Sequence, residues 1–348
     1  MLHPIRPVLS TPSRLVSAGR FNVGTFAAPF ADVNMLDASL GMPLPRHLKA
    51  MRLKEWQHFA LVDERWYVSL ALFNAKTLGL AQVIIYDRDS GSLYEYERRT
   101  LPTSIKVPAT LFDSRARYHG RRFKLHIHNH LDAGVHRIDF DVPAGKGRPA
   151  AHGSFTCHEK DIEPIVVCLP LSRHRAMYSH KCVTPLEGVM LIAGERCDFD
   201  NKTSYGLVDI HKGYYPYEMK WHWATAVGRD SDGHLVGFNL TDNQVVDQDS
   251  YNECCVWLAG RMHPLPPVRF SFDTTDPMRP WEIRDTQGLV ELRFSPEALR
   301  RIDLDALVLA NHYRAPYGRF DGQLTTGEGE KLEVDGLFGM CEDFYLRS

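Results

Sequence analysis

The sequence of 348 residues predicts an all-β protein, a sandwich or a barrel rather than a parallel α/β sheet. Short segments rich in aromatic and β-branched residues follow one another along almost the whole chain. Turn signals such as Asp89-Ser90-Gly91 separate these segments about every ten residues. Helical periodicity is scarce, so we expect helices to be few and short.

The predicted strands run in order through both halves of the chain. Those of the first half have the sequences HFALV, WYVSLALF, LAQVIIYD, SLYEYERR, RFKLHIHNH, HRIDFDV and SFTCHE. Those of the second half have the sequences MKWHWATAVG, HLVGFNLTD, CVWLAGRM, VRFSFDT, GLVELRFS, GQLTTGEG and KLEVDGLFGM. Helices are predicted over 45–55 and over 295–301, the latter because Ser295 can cap a helix and Pro296 suits its first position.

The chain is long enough for two domains, and its 44% hydrophobic content allows a substantial core. We expect the boundary between Pro170 and His180, where a strand-like run passes through polar and arginine-bearing residues. The prediction is therefore an N-terminal β-domain over residues 1–172 and a C-terminal β-domain over residues 173–348.

The charge balance predicts neither nucleic acid nor an anionic membrane as a partner, because 43 Asp and Glu residues offset 41 Lys and Arg residues. No segment approaches the roughly eighteen apolar residues of a membrane helix, and the N-terminus lacks the apolar core of a signal peptide. The seven cysteines are odd in number and form no C-x-x-C pair, which argues against a disulfide framework and a zinc knuckle. We therefore expect a protein of the reducing cytoplasm.

The stretch from Val208 to Asp242 crowds aromatic and titratable side chains onto paired strands. Side chains alternate between the two faces of a strand, so Trp221 and Trp223 share one face and His222 lies on the other. We expect these indole and imidazole groups to border a cavity for a ligand. The alternative is that both tryptophans belong to the core and His222 is a solvated residue of the outer face. Asn239, on the next strand, is expected to be a buried amide that needs partners or a ligand.

This cluster predicts proton transfer and stabilisation of a cation. An imidazole exchanges protons near neutral pH, and an indole face stabilises a nearby cation by roughly 1–2 kcal/mol. Together they suit protonation of an alkene and control of the carbocation that forms. The candidate catalytic residues are His222, Asp209, His211, Tyr215 and Tyr217. The candidate substrate-binding residues are Trp221, Trp223, Asn239, Lys181, Trp56 and Trp257.

Three histidines, His126, His128 and His130, fall on one face of a predicted strand at a spacing that shared metal ligation allows. A polar outer face explains the same pattern, and the sequence identifies no fourth ligand, so we assign no metal to them. His158-Glu159 lacks the second histidine of a zincin, and no G-x-S-x-G elbow occurs. The common hydrolase signatures are therefore missing.

Several segments together resemble a bacterial family known as domain of unknown function 2804. They span most of the chain in order and read KEWQHFAL, YSHKCVTPLEGVM, HKGYYPYEMKWHWATAVG, DGHLVGFNL, VWLAGRMHPLPPVRFSFD, PWEIRDTQGLVELRFSP and YGRFDGQL. That family resembles, more distantly, the carotenoid 1,2-hydratases, tocopherol cyclases and fungal Diels-Alderases, which are built from two lipocalin-like β-barrels in tandem. The resemblance implies this fold, and chemistry on polyenes or isoprenoids that needs no cofactor.

The hydratases carry an aspartate-histidine strand motif followed by a tryptophan-aspartate-tryptophan motif. The resemblance places the first on Asp209-Ile210-His211 and the second on Trp221-His222-Trp223. The chain departs from both, because Ile210 interrupts the first motif and His222 stands where the second has aspartate.

We predict two lipocalin-like halves, barrels or strongly curved sheets, with a pocket lined by the hairpin from Trp221 to Asn239. The protein is expected to bind a hydrophobic, unsaturated small molecule and to isomerise, cyclise or hydrate it, with His222 or Asp209 as proton donor. A non-catalytic binding or carrier protein with the same pocket is the alternative. A carbohydrate-active β-protein is a third interpretation, because tryptophans and carboxylates also serve sugars.

Overall fold

The fold is all-β, and the computed structural model describes residues 5–305 and 310–347. Helical structure in these residues consists of one α-helix, α1 (Arg46–Arg52), and the short 3₁₀ turns Met35–Asp37 and Pro102–Ser104. The predicted all-β class with few and short helices is confirmed.

The strands belong to two large sheets and one small hairpin, which is formed by β2 and β3. The strands up to the end of the first sheet are β1 (Val8–Leu9), β2 (Val16–Ser17), β3 (Arg20–Phe21), β4 (Gly24–Phe26), β5 (Lys54–Val62), β6 (Trp66–Asn74), β7 (Gly79–Asp87), β8 (Ser92–Thr100), β9 (Ser114–His119), β10 (Lys124–His130), β11 (Val135–Val142), β12 (Ala151–His158), β13 (Ile165–Ser172), β14 (Arg175–Ile192), β15 (Glu195–Phe199) and β16 (Tyr205–Gly213). The strands of the second sheet are β17 (Glu218–Arg229), β18 (Leu235–Asn243), β19 (Cys255–Leu258), β20 (Arg261–Pro264), β21 (Val268–Ser271), β22 (Trp281–Asp285), β23 (Val290–Asp305), β24 (Ala310–Thr325) and β25 (Lys331–Arg347).

Both large sheets are curled into half-barrels. In the first, neighbouring strands follow the order β8-β7-β6-β5-β16-β14-β12-β11-β10-β9, with β1, β4, β13 and β15 attached beside this path. The long strand β14 pairs with β13 and β16 through its first half and with β12 and β15 through its second half. The second sheet has the order β20-β19-β18-β17-β25-β24-β23-β22-β21. The middle strands are therefore β16 and β14 in the first sheet and β25 in the second, and each is flanked by further strands on both sides.

The chain passes from the first sheet to the second between Gly213 and Glu218. The strands β14 and β16, which the sequence assigns to the C-terminal domain, pair within the first sheet. The polar residues after 172 form the tight turn that joins β13 to β14. The division into domains 1–172 and 173–348 stays a prediction, since strand pairing does not measure where an independently folding unit ends.

One of the two predicted helices forms and the other does not. The helix α1 lies within the predicted range 45–55. The prediction over 295–301 is wrong, because these residues belong to β23. The pairing of β23 with β24 shifts register between Pro296 and Ala298, and β22 pairs with β23 only as far as Phe294. Pro296 therefore lies at a bulge beside an unpaired edge, where its missing N–H is tolerated.

Hydrophobic side chains pack in three clusters. One fills the first half, with Phe59 and Leu125 among its members, and another fills the second half, with Phe238 and Phe320. The third contains residues of both sheets, among them Trp257, and joins the two halves. Since side chains alternate along a strand, each central strand contributes one face to its own half and the other face to the region between the sheets.

Further contacts tie the N-terminal segment to the second half. The guanidinium of Arg6 is buried and donates to the carbonyl oxygens of Cys254 and Leu265, each at 2.7 Å. All seven cysteines are buried free thiols. None of the described helices has the length and apolar character needed to cross a membrane.

Candidate functional site

A cavity of about 660 Å³ lies between the two sheets. Strands β5 to β8, β14 and β16 line it on one side, and β17, β18, β23, β24 and β25 line it on the other. Most of the lining is apolar, and a small number of charged side chains converge within it. Sites for one small organic molecule have volumes of roughly 300–1,000 Å³, so this cavity has a suitable size.

Flat rings form one wall of the cavity. The indole of Trp56 stacks on the imidazole of His211, with ring centres 4.5 Å apart, and on the ring of Tyr215 at 5.5 Å. Trp56 also lies nearly parallel to Trp221 at 5.9 Å, and Trp221 stacks on Phe344 at 3.9 Å. The wall thus combines rings of both sheets. Such rings offer π faces to a flat, unsaturated ligand or to a cation.

Asp209 in β16 lies at the centre of the polar part of the cavity. The strand register places it opposite Lys181 in β14 and opposite His58 in β5. Nζ of Lys181 is 3.2 Å from Oδ1, and Nε2 of His211 is 2.8 Å from the same oxygen. The indole nitrogen of Trp56 donates to Oδ2 at 3.3 Å. Oδ1 is thus buried between the ammonium group of Lys181 and the imidazole of His211.

At Asp209 and Lys181, burial and the neighbouring charges shift the pKa in opposite directions. Burial by itself raises the pKa of the Asp209 carboxyl, but the neighbouring Lys181 and His211 outweigh burial and hold this pKa well below its ordinary value. Burial lowers the pKa of Lys181, but Asp209 and Glu253 outweigh burial, and the net change is a rise. Burial lowers the pKa of His58 to about 4. At neutral pH the site therefore holds an ionised Asp209, a charged Lys181 and a neutral His58.

A second carboxyl of the cavity, that of the half-buried Glu342 in β25, has its pKa shifted in the opposite direction. The indole nitrogen of Trp221 donates to Oε2 at 3.1 Å, and the hydroxyl of Tyr313 donates to Oε1 at 2.5 Å. Burial raises the pKa of Glu342 more than these hydrogen bonds lower it, and the charge of Asp209 adds to the rise. A carboxyl with a raised pKa keeps its proton to higher pH and can act as a general acid.

Lys181 connects Asp209 to a third carboxylate. Its Nζ lies 3.4 Å from Oε1 of Glu253 and 4.6 Å from the ring centre of Trp223. The hydroxyl of Thr241 donates to Oε1 of Glu253 at 3.1 Å. The ammonium group is thus enclosed by two carboxylates and one indole face, an arrangement that holds its charge without solvent.

The structure brings most of the predicted site residues together. Those that line the cavity are Trp56, Lys181, Asp209, His211, Tyr215, Tyr217, Trp221 and Trp223. Tyr217 is 52% exposed and so lies where the cavity meets solvent, whereas Trp223 is 4% exposed and lies deep. The catalytic and substrate-binding roles assigned to these residues from the sequence stay predictions.

His222 lies outside this cavity, and the expectation that its ring faces inward is wrong. Its ring contacts Phe270 and Phe272 on the opposite face of β17, and its Nε2 is 3.4 Å from Oδ1 of Asp343. The reason is the two-residue period of a strand, because a side chain between two inward-facing indoles must point the other way.

Asn239 and Trp257 also lie outside the cavity. Oδ1 of Asn239 accepts from the indole nitrogen of Trp223 at 2.6 Å, and Nδ2 donates to the carbonyl oxygen of Glu253 at 2.7 Å. Asn239 is thus the buried amide with partners that the sequence predicts, and it positions the indole of Trp223. Trp257 packs in the core between the two halves, where its indole nitrogen donates to the carbonyl oxygen of Glu163 at 2.8 Å.

The three histidines of β10 do not converge on one point. Nε2 of His126 faces Nδ1 of His119 at 3.2 Å, whereas His128 and His130 approach Oδ1 of Asp113 at 3.1 and 3.5 Å. All three rings are partly exposed, on the polar face of the strand. The pattern in the sequence therefore corresponds to an outer face with two separate histidine pairs.

Glu253, Arg300, Tyr313 and Glu342 are among the cavity residues that the sequence did not predict. The predicted strand KLEVDGLFGM ends at Met340, whereas β25 continues to Arg347. Extending the strand by a few residues places Met340, Glu342 and Phe344 on one face, which is a carboxyl between two apolar side chains. That pattern is a signal of a buried acid, because a carboxyl on an apolar face needs a partner or a function.

Comparisons with known proteins agree with this architecture. A sequence model described as a domain of unknown function, DUF2804, matches residues 8–347. The chain belongs to the DUF2804 family. A comparison of the DUF2804 chain with curated protein sequences finds no significant match.

Solved structures show the fold that this DUF2804 protein shares with others. It is similar to CghA, with a TM-score of 0.51, 11% sequence identity and coverage of 85% of this chain and 88% of that one. It is also similar to kievitone hydratase from Nectria haematococca, with a TM-score of 0.50, 9% identity and coverage of 84% and 88%. The predicted family and the predicted fold of two lipocalin-like halves are confirmed.

Proposed function

We propose that the protein binds a hydrophobic, unsaturated small molecule, isoprenoid or lipid-like, between its sheets and isomerises, cyclises or hydrates it by acid/base catalysis with its own side chains. One observation carries the proposal. The aromatic-walled cavity contains two carboxyls, the half-buried Glu342 and the buried Asp209, whose pKa values are shifted in opposite directions, up for Glu342 and down for Asp209. Paired shifts of this kind separate an acid from a base in one site.

In this proposal Glu342 is the proton donor. Its proton is transferred to one carbon of a double bond, the π electrons form the new C–H bond, and the adjacent carbon becomes cationic. The aromatic wall of the cavity, to which Trp221 belongs, stabilises that charge by roughly 1–2 kcal/mol for each ring that meets it where water is excluded. Trp221 also holds the carboxyl of Glu342 through its indole N–H.

Asp209 completes the reaction as the base. Its carboxylate, which is ionised at neutral pH, takes a proton from a carbon next to the cation, and this restores a double bond and gives isomerisation. In a cyclisation, the π electrons of a second double bond first attack the cation to form the ring bond, and the proton is then lost from a carbon next to the new cation. In a hydration, water adds to the cation and Asp209 takes the proton that the added water loses. One structural relative is named kievitone hydratase, and hydration is among the reactions that this arrangement would support.

A non-catalytic binding protein is the second candidate. It is favoured by the pairing of Asp209, Lys181 and Glu253, because these charges already compensate one another without a substrate. The carbohydrate-active interpretation has less support, since Trp223 is buried at the bottom of the cavity and does not rim an open groove. The protein is proposed to be cytoplasmic because all seven cysteines are buried as free thiols.

The ligand class can be tested directly. Purified protein is extracted with organic solvent, and the compounds that co-purify are identified by mass spectrometry. We expect unsaturated apolar molecules. A matched pair of variants locates them: Ala71→Trp fills the cavity and should remove the compounds, whereas His222→Ala changes the opposite face of β17 and should retain them. Recovery of sugars alone, or equal recovery from both variants, would contradict the proposal.

Catalysis is tested with the compound recovered in this way. Glu342→Gln should lower its turnover by about 10²–10⁴-fold and leave its binding within about twofold, since a general acid contributes to the transition state. Ligand binding without turnover by the wild-type protein would support the carrier candidate instead.

A further inference from the structure

A second polar cluster lies inside the first half, away from the cavity. It consists of His136 in β11, Glu159 just after β12, and His180 in β14. The two histidines are 0% exposed and Glu159 is 5% exposed. Nε2 of His136 is 2.9 Å from Oε2 of Glu159, and Nε2 of His180 is 2.9 Å from Oε1. One ligand atom from each residue lies within 4.8 Å of the other two.

The surroundings of His136 fix which of its nitrogens carries the proton. The amide nitrogen of Asn129 lies 3.3 Å from Oε1 of Gln57 and 3.4 Å from Oγ of Ser114, so it donates to these oxygens. The amide oxygen of Asn129 therefore faces Nδ1 of His136, at 2.7 Å, and accepts its proton. Nε2 is then the nitrogen with the lone pair in the neutral ring, and it points at a carboxylate oxygen. Two lone pairs at such a distance repel each other unless a positive charge lies between them, which is either the proton of an imidazolium that donates to Glu159 or a metal ion.

The imidazole of His180 lacks hydrogen-bond partners as well. Its Nε2 is close to Glu159, but the direction is unsuitable for a hydrogen bond, and neither ring nitrogen has a hydrogen-bond partner among the described residues. The hydroxyl of Tyr178, buried near Glu159, is likewise without a partner there. Buried polar groups are rarely left unpaired, because each costs about 1–3 kcal/mol. A cation held by Glu159 and the two histidines would occupy the Nε2 atoms of both rings.

We propose that His136, Glu159 and His180 bind one divalent transition-metal ion of the zinc type inside the first half of the protein. Two imidazole nitrogens and one carboxylate oxygen form a donor set that zinc uses at about 2.0–2.2 Å, and the hydrogen bond from His136 to Asn129 is the outer contact that orients a ligating histidine. The ligands come from three separate strand regions, so the ion joins β11, β12 and β14 within the core.

This site is distinct from the cavity between the sheets. His180 and Lys181 are neighbours in β14, and strand alternation directs His180 to the interior of the first half and Lys181 to the cavity. The ion is therefore assigned a structural role and takes no part in the proposed acid/base reaction. The zincin pattern considered for His158-Glu159 requires both histidines on one helix, whereas the histidines of this site lie on the separate strands β11 and β14.

The test uses the intact protein and loads the metal during synthesis, because the site is closed. Protein is produced in media supplemented with zinc or with cobalt, dialysed against a chelator, and analysed for metal by mass spectrometry. We expect close to one ion per chain in each preparation. The cobalt protein should also show the visible ligand-field absorption of a nitrogen- and oxygen-bound ion. Substoichiometric metal in both preparations would overturn the proposal and leave a buried ion triad with a protonated imidazole.

Two variants locate the ion. Glu159→Gln keeps the size of the side chain but removes its charge, and it should abolish the metal content. The double variant His128→Ala/His130→Ala removes the exposed histidine pair beside Asp113, a second cluster with metal-binding spacing, and should retain one ion per chain. Metal lost from the double variant but kept by Glu159→Gln would contradict the assignment. Should Glu159→Gln fail to fold, the wild-type metal content and the double variant decide the question.

Discussion

Lys181 and Asp209 lie directly opposite each other on β14 and β16, with Nζ of Lys181 3.2 Å from Oδ1 of Asp209. Both side chains are nearly inaccessible to solvent, and the flanking strand β5 places His58 opposite Asp209 on its other side. This ion pair thus lies on the face of the first sheet that meets the second sheet. The stability of the protein and the state of its cavity therefore depend on the same ion pair.

Removing this ion pair should lower the free energy of unfolding at neutral pH. We expect Asp209→Asn to lower the free energy of unfolding by about 3–5 kcal/mol, because Lys181 keeps only Glu253 as a charged partner in a buried position. The measurement is urea unfolding followed by circular dichroism. Asp343→Asn is the matched control, since Asp343 is about one third exposed and its one ion pair within the described part of the chain is with His222, across 3.4 Å. An equal loss in both variants would contradict the argument.

The loss of unfolding free energy caused by Asp209→Asn should become smaller as the pH falls. The pKa of Asp209 is lower in the folded protein than in the unfolded chain, so its stabilising contribution is present above the unfolded value of about 4. The contribution is lost as the pH falls toward the folded value. The difference in stability between wild type and Asp209→Asn should therefore be constant near neutral pH and shrink below about pH 4. A difference that grows on acidification would refute this account.

The contribution of Glu342 to the stability of the folded protein should change with pH in the opposite direction. Its pKa is raised in the folded protein, so the protonated carboxyl contributes stability below the unfolded value of about 4.3 that is lost as the pH rises through the folded value. Glu342→Gln does not titrate, so its Tm relative to wild type should increase from acidic to alkaline pH. Thermal melts across the pH range measure this, with the exposed Glu333→Gln on the same strand as a control that should show no such trend.

Ligand affinity should distinguish the two faces of β17. Trp221→Ala should weaken binding of the co-purifying apolar ligand at least about tenfold, which corresponds to about 1.4 kcal/mol, because it removes a stacked ring of the cavity wall. His222→Ala should change the affinity by less than about twofold, or about 0.4 kcal/mol. Quenching of tryptophan fluorescence gives both values. Comparable losses in the two variants would mean that the ligand binds elsewhere.

Arg300 should stabilise the contact between the two halves. Its buried guanidinium, 3% exposed in β23, donates to Glu95 at 3.2 Å and to Glu97 at 2.7 Å in β8 of the other sheet. Arg300→Met should lower the free energy of unfolding by about 2–3 kcal/mol through the loss of charge-assisted hydrogen bonds. Arg301→Met, at the exposed neighbouring position, should stay within about 0.5 kcal/mol of wild type. Differential scanning calorimetry of the two variants tests the comparison.

Local sequence patterns were sufficient to predict part of the candidate site. The alternation of Met219, Trp221 and Trp223 predicted which side chains share a face, and both indoles line the cavity. The same rule places His222 on the other face, so the error there came from grouping neighbouring residues instead of following the alternation. The helix predicted at Ser295 failed because its Pro296 belongs to a bulge in β23, a position that only the pairing with β24 creates.

The sequence by itself determined the all-β class, the family and the aromatic strand that borders the cavity, because strand periodicity and turn residues are local properties of the chain. Only the tertiary structure decided which acids act together. Trp221 and Glu342 are 121 positions apart in sequence, yet they meet because β17 and β25 are neighbours in the sheet. The pKa of a carboxyl depends on its burial and on nearby charges, and both are fixed by contacts between strands that are distant in sequence.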